Sequence, residues 1–496
     1  VILLSDLQKI VSDVGITFVA SAVGMLLGFP ITVLLGRYMG ADDLGLYRMV
    51  STIFGTFTLF VTIGVPNAII KYVAEFRDNE EKLEQIVSAG LITSVLLGLF
   101  SFIFIYLSAD LFADFFNMPE LSGLLKILAF AFPFSIVNST LIGLLNGLRE
   151  MTKNAWVSIV QSATMLVLTF ILVFKFGVNG AVSGIVLSSI LTTFLLISIK
   201  KISSISLNNY FNTTSQIISF GSKTVLANAI NLINYQADIL MIGYFMTKTD
   251  VGVYSVAVMF AKLIWILPDS IQRITFPLIS EYHAKKMNEQ IMIVVDRCMK
   301  YSCLFLIFCT TFFIFFGKEF LALIFGAEFK ISYSPLIILL IGTLFYGMTK
   351  SVGSIFASIG KVNLVYKIPL VSAIFNILLN MLLIPTYGII GGAFATSFSL
   401  IVSMTLMLRF MRSLLGVKFD FWWYVKVFGI TGFLIFVYLM VNKFSISLGL
   451  FLITLQCIVF FRSFIPFDDK QKLYQTIHNI ERKYQFSLFG KILNKF

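Results

Sequence analysis

The sequence predicts an all-α integral membrane protein of about 14 transmembrane helices, in two six-helix pseudo-symmetric lobes followed by two C-terminal helices. Three observations predict it. The 496 residues are 58% hydrophobic and 12% charged, against about 25% charged in soluble chains, and the mean hydropathy is +0.94. The apolar runs are long enough to cross a hydrocarbon core of about 30 Å as helices, and too long and unbroken for the ten-residue alternation of a membrane barrel. The first twelve runs also fall into two sets of six that echo one another in order.

The first six runs cover about 13–36, 44–70, 86–107, 124–146, 155–174 and 178–199. The next six cover about 217–246, 251–279, 294–316, 333–359, 363–384 and 389–408, and two more cover about 424–441 and 445–463. Runs above twenty residues imply tilt or extension beyond the bilayer. The expected division is 1–200 for the first lobe, 201–412 for the second, 413–463 for the two extra spans and 464–496 for a tail.

Orientation follows from basic residues in the connections. One side carries Lys9, Lys71, Arg77, Lys82, Arg149, Lys153, Lys200, Lys201, Lys285, Lys286, Lys361, Arg409, Arg412 and Lys418, which makes 14. The other carries Arg37, Lys175, Lys248, Lys318, Lys330 and Lys443, which makes 6. The rich side is predicted cytoplasmic and holds both termini of a multi-pass plasma-membrane protein. Trp422, Trp423 and Tyr424 open the thirteenth span as an interfacial belt should. In the tail, Leu473, Ile477, Ile480 and Tyr484 share a helical face, and Lys470, Lys472, Arg482, Lys483, Lys491 and Lys495 supply positive charge. That pattern predicts an amphipathic helix on the anionic cytoplasmic leaflet. No cleavable signal peptide is expected at the amino terminus.

The repeat is clearest in one hairpin. LLGRYMGADDLGLYRMV (34–50) and MIGYFMTKTDVGVYSVA (241–257) align at an offset of 207, pairing Gly36 with Gly243, Asp43 with Asp250, Gly45 with Gly252 and Tyr47 with Tyr254. Arg37 and Arg48 of the first copy meet Tyr244 and Ser255. A second echo pairs KFGVNGAVSGIVLSSI (175–190) with TYGIIGGAFATSFSLI (386–401) at an offset of 211, placing Gly177 on Gly388 and Gly180 on Gly391. Six spans per half is an even number, so both halves keep one orientation. Parallel repeats of this kind are a transporter architecture with the substrate site between the halves.

Two six-span halves, two extra spans, the early LLGRYMGADDLGLY hairpin and the phrase GVPNAIIKYVAE (64–75) resemble the polysaccharide or oligosaccharide flippases. These belong to the superfamily of multidrug, oligosaccharidyl-lipid and polysaccharide exporters. The resemblance implies movement of a lipid-linked saccharide between leaflets by alternating access. It implies partners of three kinds: the saccharide-lipid, the membrane lipids and polysaccharide-assembly proteins. A monomer without nucleic acid, metal or cofactor is expected.

Ionisable residues inside spans cost about 2.5–3.5 kcal/mol each on insertion scales and are functional candidates by default. Arg48, Lys262, Arg273 and Lys350 are the candidate cavity cations, suited to the phosphate of a lipid-linked saccharide. Asp238, Asp269, Asn231, Tyr235 and Gln161 are candidates for polar cavity or coupling roles. Each has a plainer role open to it. Asp269 and Arg273, four apart, can pair locally, Arg48 can snorkel outward, and Asn376 and Asn380 can join helices.

Other function classes fare worse. A multidrug exporter of the same fold typically places a carboxylate deep in the membrane, and here the first span has none beyond Asp13 at its edge, although Asp238 keeps that reading open. A flippase for the peptidoglycan lipid precursor would share the fold and the positive cavity. A membrane glycosyltransferase needs paired carboxylates on a polar loop, and Ala41-Asp42-Asp43 is better read as a turn or helix start. No phosphate-loop motif is present. Cys298, Cys303, Cys309 and Cys457 lack metal-site spacing and read as packing residues without a disulfide, and His283 and His478 lie in polar connections.

Overall fold

Apolar runs in hydrocarbon leave each backbone N–H and C=O no partner outside the segment itself. The computed structural model describes residues 2–199, 206–417, 419–441, 446–466 and 469–471, with side chains 2–14, 17, 18, 21, 25, 226–228, 231 and 233–235 outside the description. Among the described residues the protein consists of helices and short turns, with no strand. The first lobe holds α1 (Ile2–Val61), α2 (Val65–Glu75), α3 (Glu80–Phe115), α4 (Glu120–Ala129), α5 (Ala131–Gly147) and α6 (Met151–Ile199). The second holds α7 (Tyr210–Phe245), α8 (Lys248–Leu263), α9 (Ile266–Ala284), α10 (Asn288–Phe325), a 3-10 turn (Ala327–Ser332), α11 (Tyr333–Lys350), the short α12 (Ile355–Ser358) and α13 (Val362–Leu415). Then come α14 (Phe421–Met440) and α15 (Ile446–Phe464).

Three helices are too long for one crossing. The 49 residues of α6 would reach about 74 Å at the helical rise, more than twice the hydrocarbon thickness. Each long helix is folded at a glycine: Gly40 in α1 (φ 85°), Gly177 in α6 (φ 58°, ψ −139°) and Gly388 in α13 (φ 57°, ψ −139°). Left-handed φ is what glycine tolerates and other residues do not. Among the described residues, eight helical segments can cross a membrane by length and composition, or ten when the bent pairs α4–α5 (47°) and α8–α9 (42°) each count as one. Reading each kinked helix as two legs and α7 as one is compatible with the fourteen spans expected from the sequence.

The repeat is a matched piece of backbone. Gly177 and Gly388 share one conformation, and each faces a methionine methyl, Met39 at 3.2 Å and Met246 at 3.0 Å from a built Cβ position. Those methionines are themselves 207 apart. A Cβ on Gly180 would lie 2.2 Å from Leu172 O, and one on Gly391 2.2 Å from Leu383 O. The duplicated glycines are kept because the two legs of each folded helix touch there.

The lobes meet through the duplicated hairpins at the end poor in Lys and Arg. A Cβ on Gly45 would fall 1.8 Å from Lys248 O, and one on Gly252 2.0 Å from Ala41 O. Around this contact, Lys248 pairs with Glu120 and Thr249 donates to Asp42. Asp250 closes a capping box with Thr247 at the start of α8. The unlike residues Arg37 and Tyr244 do equivalent work. Arg37 donates to Leu323 O and, at 3.3 Å, to Ile324 O, at the carbonyl end of α10. Tyr244 packs on Phe115 at the end of α3, ring centroids 4.8 Å apart.

At the opposite end α7 leans on the first lobe. A Cβ on Gly64 would lie 2.2 Å from Gly221 O, and Asn67 Nδ2 donates to Thr224 Oγ1 at 3.1 Å. Lys71 sits 4.5 Å from the ring centroids of both Tyr72 and Phe220. The last two helices pack on α10, where Tyr438 stacks on Phe315 at 4.1 Å. Lys300 of α10 bonds Asp296 and Asp420, and Arg297 and Tyr301 bond Asp469 beyond α15. The amphipathic pattern from Leu473 onward lies outside the described residues.

Substitution Gly252→Leu pushes the hairpins apart, since overpacking at a closed backbone contact costs about 1–3 kcal/mol. With the four native cysteines replaced by alanine, a cysteine at Ser255 is then expected to react severalfold faster with an impermeant maleimide from the hairpin side. Gly123→Leu, where a Cβ meets nothing within 4 Å, leaves the rate unchanged. Equal rates in Gly252→Leu and its parent refute the closure.

Candidate functional site

The closed hairpins sit above a cavity of about 550 Å³ between the lobes. Helices α1, α5 and α6 form one wall and α7 and α8 the other. Positions related by the repeat face each other across it, with different side chains: Arg48 against Ser255, Ser51 against Val258, Thr32 against Ile239, and Phe29 against Gln236. The pseudo-symmetry supplies the shape, and the departures from it supply the chemistry.

Two of the four expected cations line this cavity, one from each lobe. Arg48 stands on the second leg of α1 and donates from Nη2 to Thr32 Oγ1 on the first leg at 2.9 Å. Its Nε is buried with no hydrogen-bond partner among the described residues. Lys262 lies in the last turn of α8, beside the bend into α9. It also lines a smaller space shared with Asp238, Trp265 and Thr396. Gln161 joins them on α6, with Gln236 opposite.

Lys350 is elsewhere. Its Nζ lies 2.6 Å from Asp269 Oδ1 and 4.7 Å from the Trp265 ring centroid. Asp269 therefore pairs with α11, and not with Arg273 on its own helix. Arg273 follows on α9, away from the cavity lining. Asn231 and Tyr235 lie on α7, but their side chains fall outside the description.

Asp238 forms a second polar centre, inside the second lobe. It is 4% exposed and accepts from Tyr254 Oη at 2.9 Å, Asn376 Nδ2 at 3.1 Å, Asn380 Nδ2 at 2.7 Å and Thr396 Oγ1. These partners, on α8 and both legs of α13, are all neutral. The carboxylate accepts these four hydrogen bonds, which satisfy an anion in a low-dielectric interior at the cost of keeping every donor aimed at it. The corresponding first-lobe positions are Ile31, Tyr47, Met165, Thr169 and Ile185, so this centre has no counterpart.

The serines of the cavity escaped the sequence reading. Ser51, Ser135, Ser162, Ser188 and Ser189 all face it from the first lobe. Serine is common in membrane helices, and no spacing rule marks these five. The signal that could have found them is their absence from the paired positions Val258, Ala373 and Leu400 in the second copy, opposite Ser51, Ser162 and Ser189.

Known proteins are similar to this chain in sequence and in fold. The family described as "Polysaccharide biosynthesis protein" matches residues 10–283, and the MatE family matches residues 224–382. A Haloferax volcanii protein named "Probable low-salt glycan biosynthesis flippase Agl15" is 23% identical over 82% of this chain and 84% of its own. The Staphylococcus aureus "Capsular polysaccharide biosynthesis protein CapF" is 23% identical over 79% of this chain and 97% of its own. Among solved structures, a lipid II flippase in an inward closed conformation superposes with a TM-score of 0.75 at 18% identity, over 91% of this chain and 99% of that one. An inward-facing multidrug transporter superposes with a TM-score of 0.63 at 15% identity, over 79% and 94%. The chain is thus a multi-pass membrane protein of the exporter fold, and with more than half its length matched it belongs to the polysaccharide biosynthesis protein family.

Proposed function

We propose that the protein is a flippase that carries a polyprenyl- or dolichyl-linked saccharide, through its phosphate or diphosphate, across the cell membrane by alternating access. One observation carries the reading: a cation from each lobe, Arg48 and Lys262, opens into one cavity beneath a closed lobe contact. Moving a phosphate through hydrocarbon without partners costs many kcal/mol. Charge-assisted hydrogen bonds from a guanidinium and an ammonium replace its water, while the lipid tail stays in the bilayer. No covalent bond of the cargo changes, so the protein acts as a carrier and not as an enzyme. Both termini lie in the cytoplasm in this reading, the chain acts as a monomer, and the cargo comes from membrane-bound assembly proteins. A cationic-drug exporter is disfavoured by the same two charges. A carrier for a peptidoglycan precursor shares the chemistry, and the names of the glycan-related relatives favour the polysaccharide cargo.

Asp238 serves in this proposal as the coupling group. A proton or monovalent cation arriving at the carboxylate changes its charge and so the pull on Tyr254, Asn376, Asn380 and Thr396. Those partners sit on α8 and α13, whose packing on α7 defines the second lobe. Lys262 borders the same small space, which links the ion to the cargo electrostatically.

In a deletion strain, Arg48→Met with Lys262→Met is expected to lower surface glycan by more than about tenfold at normal protein level, since a hydrogen bond to a charged group is worth about 1.5–3 kcal/mol. Lys350→Met is expected to leave export per molecule within about twofold and to lower the melting temperature, because it strands Asp269. Full export by the double variant refutes the phosphate site. In proteoliposomes under imposed sodium or pH gradients, Asp238→Asn is expected to flip cargo at a rate indifferent to the gradient that drives the parent. A gradient response equal to the parent's removes Asp238 from coupling.

A further inference from the structure

The hydroxyls on the first-lobe wall point to a second subsite. Each cavity serine has already committed its single proton. Ser51 Oγ donates to Tyr47 O at 2.7 Å, Ser162 to Ser158 O at 2.9 Å, Ser188 to Ile185 O at 3.0 Å and Ser189 to Ile185 O at 2.8 Å. Ser135 donates to Ser189 Oγ at 3.0 Å. A hydroxyl has one donor and two acceptor lone pairs. With the proton turned back into the helix, what remains for the cavity is oxygen.

A wall of acceptors repels a phosphate, which at neutral pH offers acceptors alone. It suits a ligand that brings donors, and a sugar brings several hydroxyl protons. The opposite wall carries Ile239, Val258, Met259 and Leu263, an apolar surface for the C–H face of a pyranose ring. Gln161, on the serine side, has both a carbonyl and an amide to offer. The donors suited to phosphate, on Arg48 and Lys262, are distinct from the acceptors on this wall.

We propose that Ser51, Ser162, Ser188, Ser189 and Gln161 form the subsite for the first sugar of the cargo and that they discriminate saccharides by the positions of their hydroxyl donors. This rests on the reading that Arg48 and Lys262 take the phosphate. The cargo then lies with its diphosphate between the two cations, the polar edge of the sugar on the first lobe and its ring face on the second.

The test uses the full chain in nanodiscs. Binding of short-chain polyprenyl diphosphate is compared with binding of the same lipid bearing glucose, galactose or N-acetylglucosamine. The parent is expected to bind at least one sugar-bearing lipid tighter than the bare one, by about tenfold. Ser51→Ala with Ser162→Ala and Ser188→Ala, which remove acceptors without filling the cavity, are expected to erase that increment. The same variant keeps the affinity for the bare lipid. Arg48→Met with Lys262→Met is expected to weaken all four probes together. A parent without a sugar increment, or a triple serine variant that keeps it, overturns the subsite. A double cation variant with unchanged affinity for bare polyprenyl diphosphate overturns the phosphate reading instead, and that outcome is read on a different probe.

Discussion

The backbone contact between Gly45 and Gly252 is the constraint on which the rest depends. Both residues lack a Cβ, and no other residue type fits either place, because an added atom would lie about 2 Å or less from a carbonyl oxygen across the interface. Small residues at helix crossings let backbones approach within van der Waals range, the main cohesive force between helices in lipid. The contact is made by two copies of one hairpin, so its symmetry fixes the axis relating the lobes. With the axis fixed, four repeat-related pairs on α1, α7 and α8, Phe29 and Gln236, Thr32 and Ile239, Arg48 and Ser255, and Ser51 and Val258, are brought to the same cavity. Lys248 with Glu120, Asp42 with Thr249, and the end caps by Arg37 and Tyr244 surround the contact and seal it.

Polar groups are distributed around this axis as the bilayer requires. An unsatisfied polar group in hydrocarbon costs several kcal/mol, and accordingly Lys350, Asp269 and Asp238 have partners while Arg48 and Lys262 face the cavity. Lys350 and Asp269 neutralise each other, against the Trp265 ring. Asp238 has four neutral donors. Arg48 is only partly satisfied, with one bond to Thr32 and a buried Nε that has no described partner. A cation held in that condition in a cavity has an unmet demand for an acceptor. An arriving anion meets that demand.

Much of the fold was legible because the repeat is carried by glycines, whose places are set by backbone geometry and do not drift with side-chain chemistry. The kinks at Gly177 and Gly388 fall at the second echo, and the lobe contact falls at the first. The breaks at Gly40, Gly177 and Gly388 fall between spans that the sequence separates, 13–36 from 44–70, 155–174 from 178–199 and 363–384 from 389–408. Part of the site was hidden. Lys350 looks like an isolated membrane cation in sequence because its partner is 81 positions away, from Asp269 to Lys350, on another helix. Asn376 and Asn380 were recognisable as interhelical donors, yet nothing local says that both aim at Asp238. The serines carry no pattern at all, and their common trait, a proton turned inward, exists only in three dimensions.

The two copies have diverged in complementary directions. The first lobe placed hydroxyls where the second has Val258, Ala373 and Leu400, and it kept apolar residues where the second built its carboxylate centre from Asp238, Asn376 and Thr396, opposite Ile31, Met165 and Ile185. A symmetric pair of lobes with identical walls would bind a cargo and a coupling ion equally on either side, with no reason for one event to influence the other. Separate lobes for separate ligands avoid that degeneracy. Lys262 is the residue at the seam, facing the large cavity on one side and the Asp238 space on the other. It stands opposite Gly55 in the first copy, so the repeat does not share it. In the proposed mechanism an ammonium there feels the charge at Asp238 and the charge of the cargo at once, so a change in either alters the free energy of the other. Reciprocity of that kind is the physical content of coupling, and the proposed mechanism obtains it from one side chain placed off the symmetry.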